Sequence, residues 1–97
     1  MNSKQHLYRK GDQVWINKLF VIGEVTMETK NLVDPIIATV AEVRKQCSEP
    51  FGFPYVLILP DSVYETNICA GVCYWETDII CKFEDKEDLI WKVWGDQ

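Results

Sequence analysis

The apolar residues of this chain come in short runs with turn-forming residues between them. Val14-Trp15-Ile16 stops at Asn17-Lys18, and Leu19-Phe20-Val21-Ile22 stops at Gly23. Tyr55-Val56-Leu57-Ile58-Leu59 stops at Pro60-Asp61-Ser62. Runs this short and this rich in β-branched and aromatic residues predict strands. A helix is the weaker reading of residues 36–44, because Ile, Val and Thr lose rotamer freedom there. The 97 residues hold one core at most.

Read along the chain, residues 1–10 form a polar, mildly basic and flexible lead-in, and residues 11–97 a single domain. Gly11-Asp12 marks a turn. Gly23, inside an otherwise strand-like stretch, predicts a bulge or sharp bend. Residues 31–35 are expected to loop out, broken by Asp34-Pro35, before the strand of residues 36–44. Residues 47–54 form a second loop, with Phe51 and Phe53 folded back on the core. The continuous apolar run of residues 55–59 predicts a central strand covered on both faces. Residues 63–68 are another strand, with Ala70-Gly71 a turn after it. From residue 73 to residue 83, Cys73, Trp75, Thr77, Ile79, Cys81 and Phe83 alternate with Tyr74, Glu76, Asp78, Ile80 and Lys82, a half-buried strand. The acids of residues 84–88 stand where a helix N-terminus favours them, so residues 84–94 read narrowly as a short helix; a strand also fits, since Leu89, Trp91 and Val93 alternate with Ile90, Lys92 and Trp94, and Gly95 stops either. The sum is an all-β barrel of five to six antiparallel strands with a short C-terminal helix. Its expected core is Trp15, Ile16, Val21, Val25, Ile37, Val40, Val43, Leu57, Leu59, Trp75, Ile79 and Phe83.

The formal charge is −5, unevenly placed. Residues 1–50 carry seven basic and six acidic side chains, and residues 51–97 three basic and nine acidic. Glu76, Asp78, Glu84, Asp85, Glu87 and Asp88 hold most of the excess. A field of one sign draws basic partners. Trp91 and Trp94 follow the acids, and tryptophan is enriched at interface hot spots. These eight residues are the candidate partner-binding set. The charge argues against simple phosphate-backbone binding at the acidic end. It leaves open a basic N-terminal face of Lys4, Arg9, Lys10, Lys18, Arg44 and Lys45.

No P-loop, GxGxxG or GxSxG is present, and the single histidine, His6, lies in the lead-in. No nucleophile, base and orienting group come together, so the expectation is a non-enzymatic domain without a cofactor. The acids of residues 84–88 lack the spacing of a calcium loop. Residues 1–6 show no apolar signal region and no run of eighteen apolar residues occurs, so a cytoplasmic protein without a membrane partner is expected. In that compartment Cys47, Cys69, Cys73 and Cys81 default to free thiols. On a straight strand Cys73 and Cys81 would stand roughly 26 Å apart, too far to share a metal, and only a turn within Glu76–Asp78 would relax this spacing.

Gly11-Asp12-Gln13-Val14-Trp15-Ile16 resembles the GDxVWV opening of SH3-like small barrels, the group that includes KOW and Tudor-type domains. Residues 37–43, the strand and acidic turn of residues 55–61, and residues 75–79 follow in the order such barrels show. The resemblance covers roughly residues 10–83 and departs from the pattern at Ser62, where a glycine is usual. It implies a five-stranded barrel. A Tudor-like aromatic cage would fall to Trp15, Tyr55, Tyr64, Tyr74 and Trp75. Small acidic proteins of this style are common in phage genomes, where they alter host proteins. The expected function is therefore a domain that regulates or inhibits a protein partner with a basic surface. The alternatives are an acidic decoy for a nucleic-acid-binding protein and a direct nucleic-acid-binding module.

Overall fold

The computed structural model describes residues 5–63, 68 and 73–95. The chain runs β1 (Gln13–Ile22), β2 (Met27–Val43), β3 (Pro54–Ile58), β4 (Cys73–Trp75), β5 (Cys81–Lys82) and α1 (Lys86–Trp94). The strands form one antiparallel sheet in the order β4-β3-β2-β1-β5, curled into a half-barrel. The last strand returns to the first, with Val14 opposite Lys82 and Trp15 opposite Cys81. The mainly-β fold and the C-terminal helix of the sequence reading are both present. Among the described residues, no helix is long and apolar enough to cross a membrane.

Two register shifts decide which side chains reach the core. In β1, Val14 and Ile16 point inward and are fully buried. Strict alternation would then bury Lys18. A shift between Ile16 and Lys18 resets the pleat, so that Leu19 is buried instead. In β2, Ala38 and Val40 point inward, and a shift between Val40 and Glu42 leaves the acid outside. Val43 then sits opposite Tyr55, half-buried against the core. Both shifts keep a charge out of a low-dielectric interior, where it would lack a partner.

Several expectations change. Of the two readings of Gly23, the sharp bend is the one present: residues 23–26 are the turn of a β1–β2 hairpin, closed by the Gly23 amide donating to the Thr26 carbonyl at 2.9 Å. Residues 31–35 are not a separate loop but a wide bulge: residues 32–35 stand between the pairs Lys18–Asn31 and Ile16–Ile36, opposite Asn17 alone. They continue β2, and the Asp34-Pro35 break survives as the shift opposite Asn17, because proline cannot donate to a ladder. β3 is covered on one face only, with Tyr55 and Leu57 buried and Ile58 exposed. The strand of residues 73–83 is broken by a 3-10 turn at Glu76–Asp78. The straight-line spacing of Cys73 and Cys81 therefore does not hold. Cys47, Cys73 and Cys81 are free thiols, and Cys69 lies outside the described residues.

The lead-in also differs from its expectation. Residues 1–4 lie outside the described residues, but Tyr8 is buried in the core and His6 stacks on Phe53 at 3.7 Å. The Gly11 amide donates to the Val40 carbonyl and the Val40 amide to the Asp12 carbonyl, each at 2.8 Å. The segment thereby lines the end of β2. Of the expected core, Val25 and Phe83 are exposed, while Phe53, Tyr55, Tyr74 and Leu89 are buried. Phe51 stays at the surface against Trp75, at a ring distance of 5.6 Å. Of the strand expected at residues 63–68, residues 64–67 lie outside the described residues, as do Ala70 and Gly71. Val63 belongs to a 3-10 turn, Asp61–Val63, and Ile68 bridges to Val21.

Candidate functional site

The site grows out of the end of β5. The Phe83 amide donates to the Gln13 carbonyl at 2.8 Å, and the Asp85 amide turns back to the Lys82 carbonyl at 3.0 Å. The Leu89 amide then donates to the Asp85 carbonyl, opening α1. Glu87 and Asp88 occupy its first turn and Lys92 its last, the arrangement that complements the helix dipole.

One side of α1 is tied down. Leu89 is buried, the Cys81 thiol donates to the Asp85 carbonyl at 3.4 Å, and the Lys92 ammonium donates to the Ile80 carbonyl at 2.9 Å. Burial pushes the Cys81 thiol above its ordinary pKa, partly opposed by the Lys92 charge. The opposite side faces water. Trp91 is 72% exposed, Ile90 47% and Trp94 41%. Spacings of three and four residues put Trp91 and Ile90 on one stripe with Trp94. Gly95 lets that stripe form: a Cβ there would stand 2.6 Å from Cε3 of Trp91. Glu84, Asp85, Glu87 and Asp88 are all exposed beside it.

Six of the eight expected residues therefore share one surface. Glu76 and Asp78 do not. Glu76 is 8% exposed and accepts the Tyr55 hydroxyl at 2.7 Å and the Leu7 amide at 3.4 Å. Asp78 is paired with Lys18 at 3.1 Å and accepts the Trp75 amide at 3.1 Å. The 3-10 turn rotates the two carboxylates away from the common strand face that alternation assigned them. Ile90 is the member of the stripe that charge and tryptophan content alone did not mark; its spacing of four from Trp94 is the signal.

The aromatic cage is not assembled. Tyr55 and Tyr74 are core residues, and Trp15 stacks on Phe83 at 5.6 Å. Tyr64 lies outside the described residues. A second surface does assemble at the end of β2. Arg9 and Lys10 line a hollow with Val43, and the next hollow, an open trough of about 630 Å³, is lined by Arg44, Lys45, Pro54, Cys73 and Trp75. His6 Nε2 lies 2.7 Å from the Arg44 carbonyl and ties the two together. Compared with protein-family models, curated proteins and solved structures, the chain matches none.

Proposed function

We propose that this chain is a small SH3-like barrel acting as a non-enzymatic interaction domain. It regulates or inhibits a protein partner by seating a basic, apolar segment of that partner on α1. The return of β5 to β1 supports the barrel reading. The observation that carries the function is the Ile90, Trp91 and Trp94 stripe, open to water and bordered by Glu84, Asp85, Glu87 and Asp88. Large exposed aromatics on an anchored helix are preorganised hot-spot material. A rim of acids speeds encounter with a basic partner and orients it.

A basic amphipathic helix of leucine and lysine is the probe, titrated into ¹⁵N-labelled protein. The expected result is saturable shifts confined to residues 84–95 and both indole N–H signals of α1. Trp91→Ala with Trp94→Ala should weaken binding by roughly tenfold or more, about 1.4 kcal/mol. Neutralising the four acids should flatten its salt dependence. Binding that survives loss of both tryptophans and follows charge alone would make the chain an acidic decoy instead. Shifts elsewhere, or none, would remove the reading.

A direct nucleic-acid reading is favoured by one separate observation. The lead-in packs beside the end of β2 and places Arg9 and Lys10 on one hollow, next to the trough that Arg44, Lys45 and Trp75 line. Cations beside a half-buried surface ring offer a single strand both backbone pairing and a stacking platform. A gel shift at low salt with a single-stranded oligonucleotide tests it, and no retarded band excludes it.

A further inference from the structure

The β1–β2 hairpin is longer than the sheet around it. β5 pairs with β1 only at Val14 and Trp15, and β3 pairs with β2 only between Thr39 and Val43. Among the described residues, the outer edge of β2 over residues 27–33 therefore carries no neighbouring strand. Its hydrogen-bonding groups can be assigned from the register. The Gly23 amide bonds across the turn to the Thr26 carbonyl. Hydrogen-bonded pairs alternate from there, through Val21 opposite Glu28 and Leu19 opposite Lys30. Glu28 and Lys30 thus turn their backbone groups toward β1. Met27, Thr29 and Asn31 turn theirs outward, and such an edge is a template for another strand.

We propose that this edge pairs with the same edge of a second copy, antiparallel about a two-fold axis at Thr29, to form a homodimer with one continuous sheet. A two-fold interface must be complementary to itself, and this register is. Glu28 falls opposite Lys30 of the second copy, and Lys30 opposite its Glu28. Both are non-hydrogen-bonded positions, where side chains approach most closely. Among the described residues, neither Glu28 nor Lys30 has an ion-pair partner in its own chain. Val25, in the turn, and Val33, in the bulge, lie just beyond the two ends of this ladder of residues 27–31. Among the described residues these are the two most exposed large apolar side chains, at 96% and 90%. Neighbouring registers fail. Centring on Asn31 sets Glu28 against Asp34, and centring on Met27 runs the ladder into the turn of residues 23–26.

Sedimentation equilibrium of the full chain, from micromolar to near-millimolar concentration at low salt, tests the proposal. The expected result is a reversible dimer of the 11.3 kDa chain. Lys30→Glu places two acids opposite two acids and should weaken the dimer by roughly tenfold or more. Glu28→Lys should do the same, and the double reversal should restore it. Hydrogen exchange reads the same contact without substitution: protection of the Met27, Thr29 and Asn31 amides should rise with concentration. A monomer throughout would overturn the proposal, as would a dimer indifferent to Lys30→Glu or unrestored by the double reversal. Dissociation by Trp91→Ala and Trp94→Ala in its place would assign the contact to α1 and overturn it equally.

Discussion

The Glu76 carboxylate accepts the Tyr55 hydroxyl at 2.7 Å while almost wholly out of water. A hydrogen bond to a buried charge is worth more than one between neutral groups, chiefly because the charge is costly to leave unpartnered. Tyr55→Phe removes the donor and keeps the ring. It should cost about 1–3 kcal/mol, lowering Tm by roughly 4–8 °C per kcal/mol in a domain of this size; thermal unfolding followed by circular dichroism checks it. Gly52→Ala should be worse than a surface substitution for two reasons. Its φ of +81° disfavours any side chain, and the added Cβ would collide with the Glu76 carboxylate. At this scale the sequence was read least well. Alternation with Cys73 and Trp75 as the inner face puts Glu76 towards solvent, but β4 buries Tyr74 instead, so Glu76, two positions on, turns inward as the turn at residues 76–78 begins. Nothing local to Glu76-Thr77-Asp78 announces that turn. The Glu76 amide donating to the Phe53 carbonyl at 3.0 Å is a contact across the fold.

The helix separates stability from binding. Leu89 is buried and Trp91 points into water. Leu89→Ala should cost about 2–5 kcal/mol through the cavity it leaves. Trp91→Ala should stay within about 0.5 kcal/mol of the parent while weakening probe binding. Urea unfolding of both variants beside the peptide titration decides it, and a destabilised Trp91→Ala would assign that ring to packing. The helix itself was legible, since acids in its first turn and the Leu89/Val93 spacing are local signals. The long strands were legible only in part. The inward residues of β1 switch from Ile16 to Leu19, and those of β2 from Val40 to Val43, at shifts set by pairing with neighbours. A periodicity read along one strand cannot register a change imposed from the next.

Closure of the whole molecule depends on a segment that looks like a tail. Tyr8 packs edge-on against Tyr55 at 5.3 Å, and the Leu7 and Tyr8 amides donate to the Tyr55 hydroxyl at 3.2 and 3.4 Å. The polar, basic run around Leu7-Tyr8 hid Tyr8 as a core residue, because its partners come from β3 and from the turn before β5. The two rings tie stability to pH. Burial first, then the charges of Cys81, Glu76 and Asp85, push the Tyr8 phenol up to about 12. Burial and the hydrogen bond to Glu76 push the Tyr55 phenol up as well. In the unfolded chain both ionise near pH 10. Above that pH the unfolded state releases protons that the folded state keeps, so stability falls as pH rises. The contribution is complete below about pH 10 and is lost progressively towards pH 12. Absorbance of tyrosinate, followed with far-ultraviolet circular dichroism, should show these two phenols ionising together with unfolding rather than ahead of it. Tyr8→Phe cannot ionise, so it should move the alkaline midpoint upward. A midpoint unchanged by Tyr8→Phe would show that the lead-in does not hold the curled sheet together through this ring.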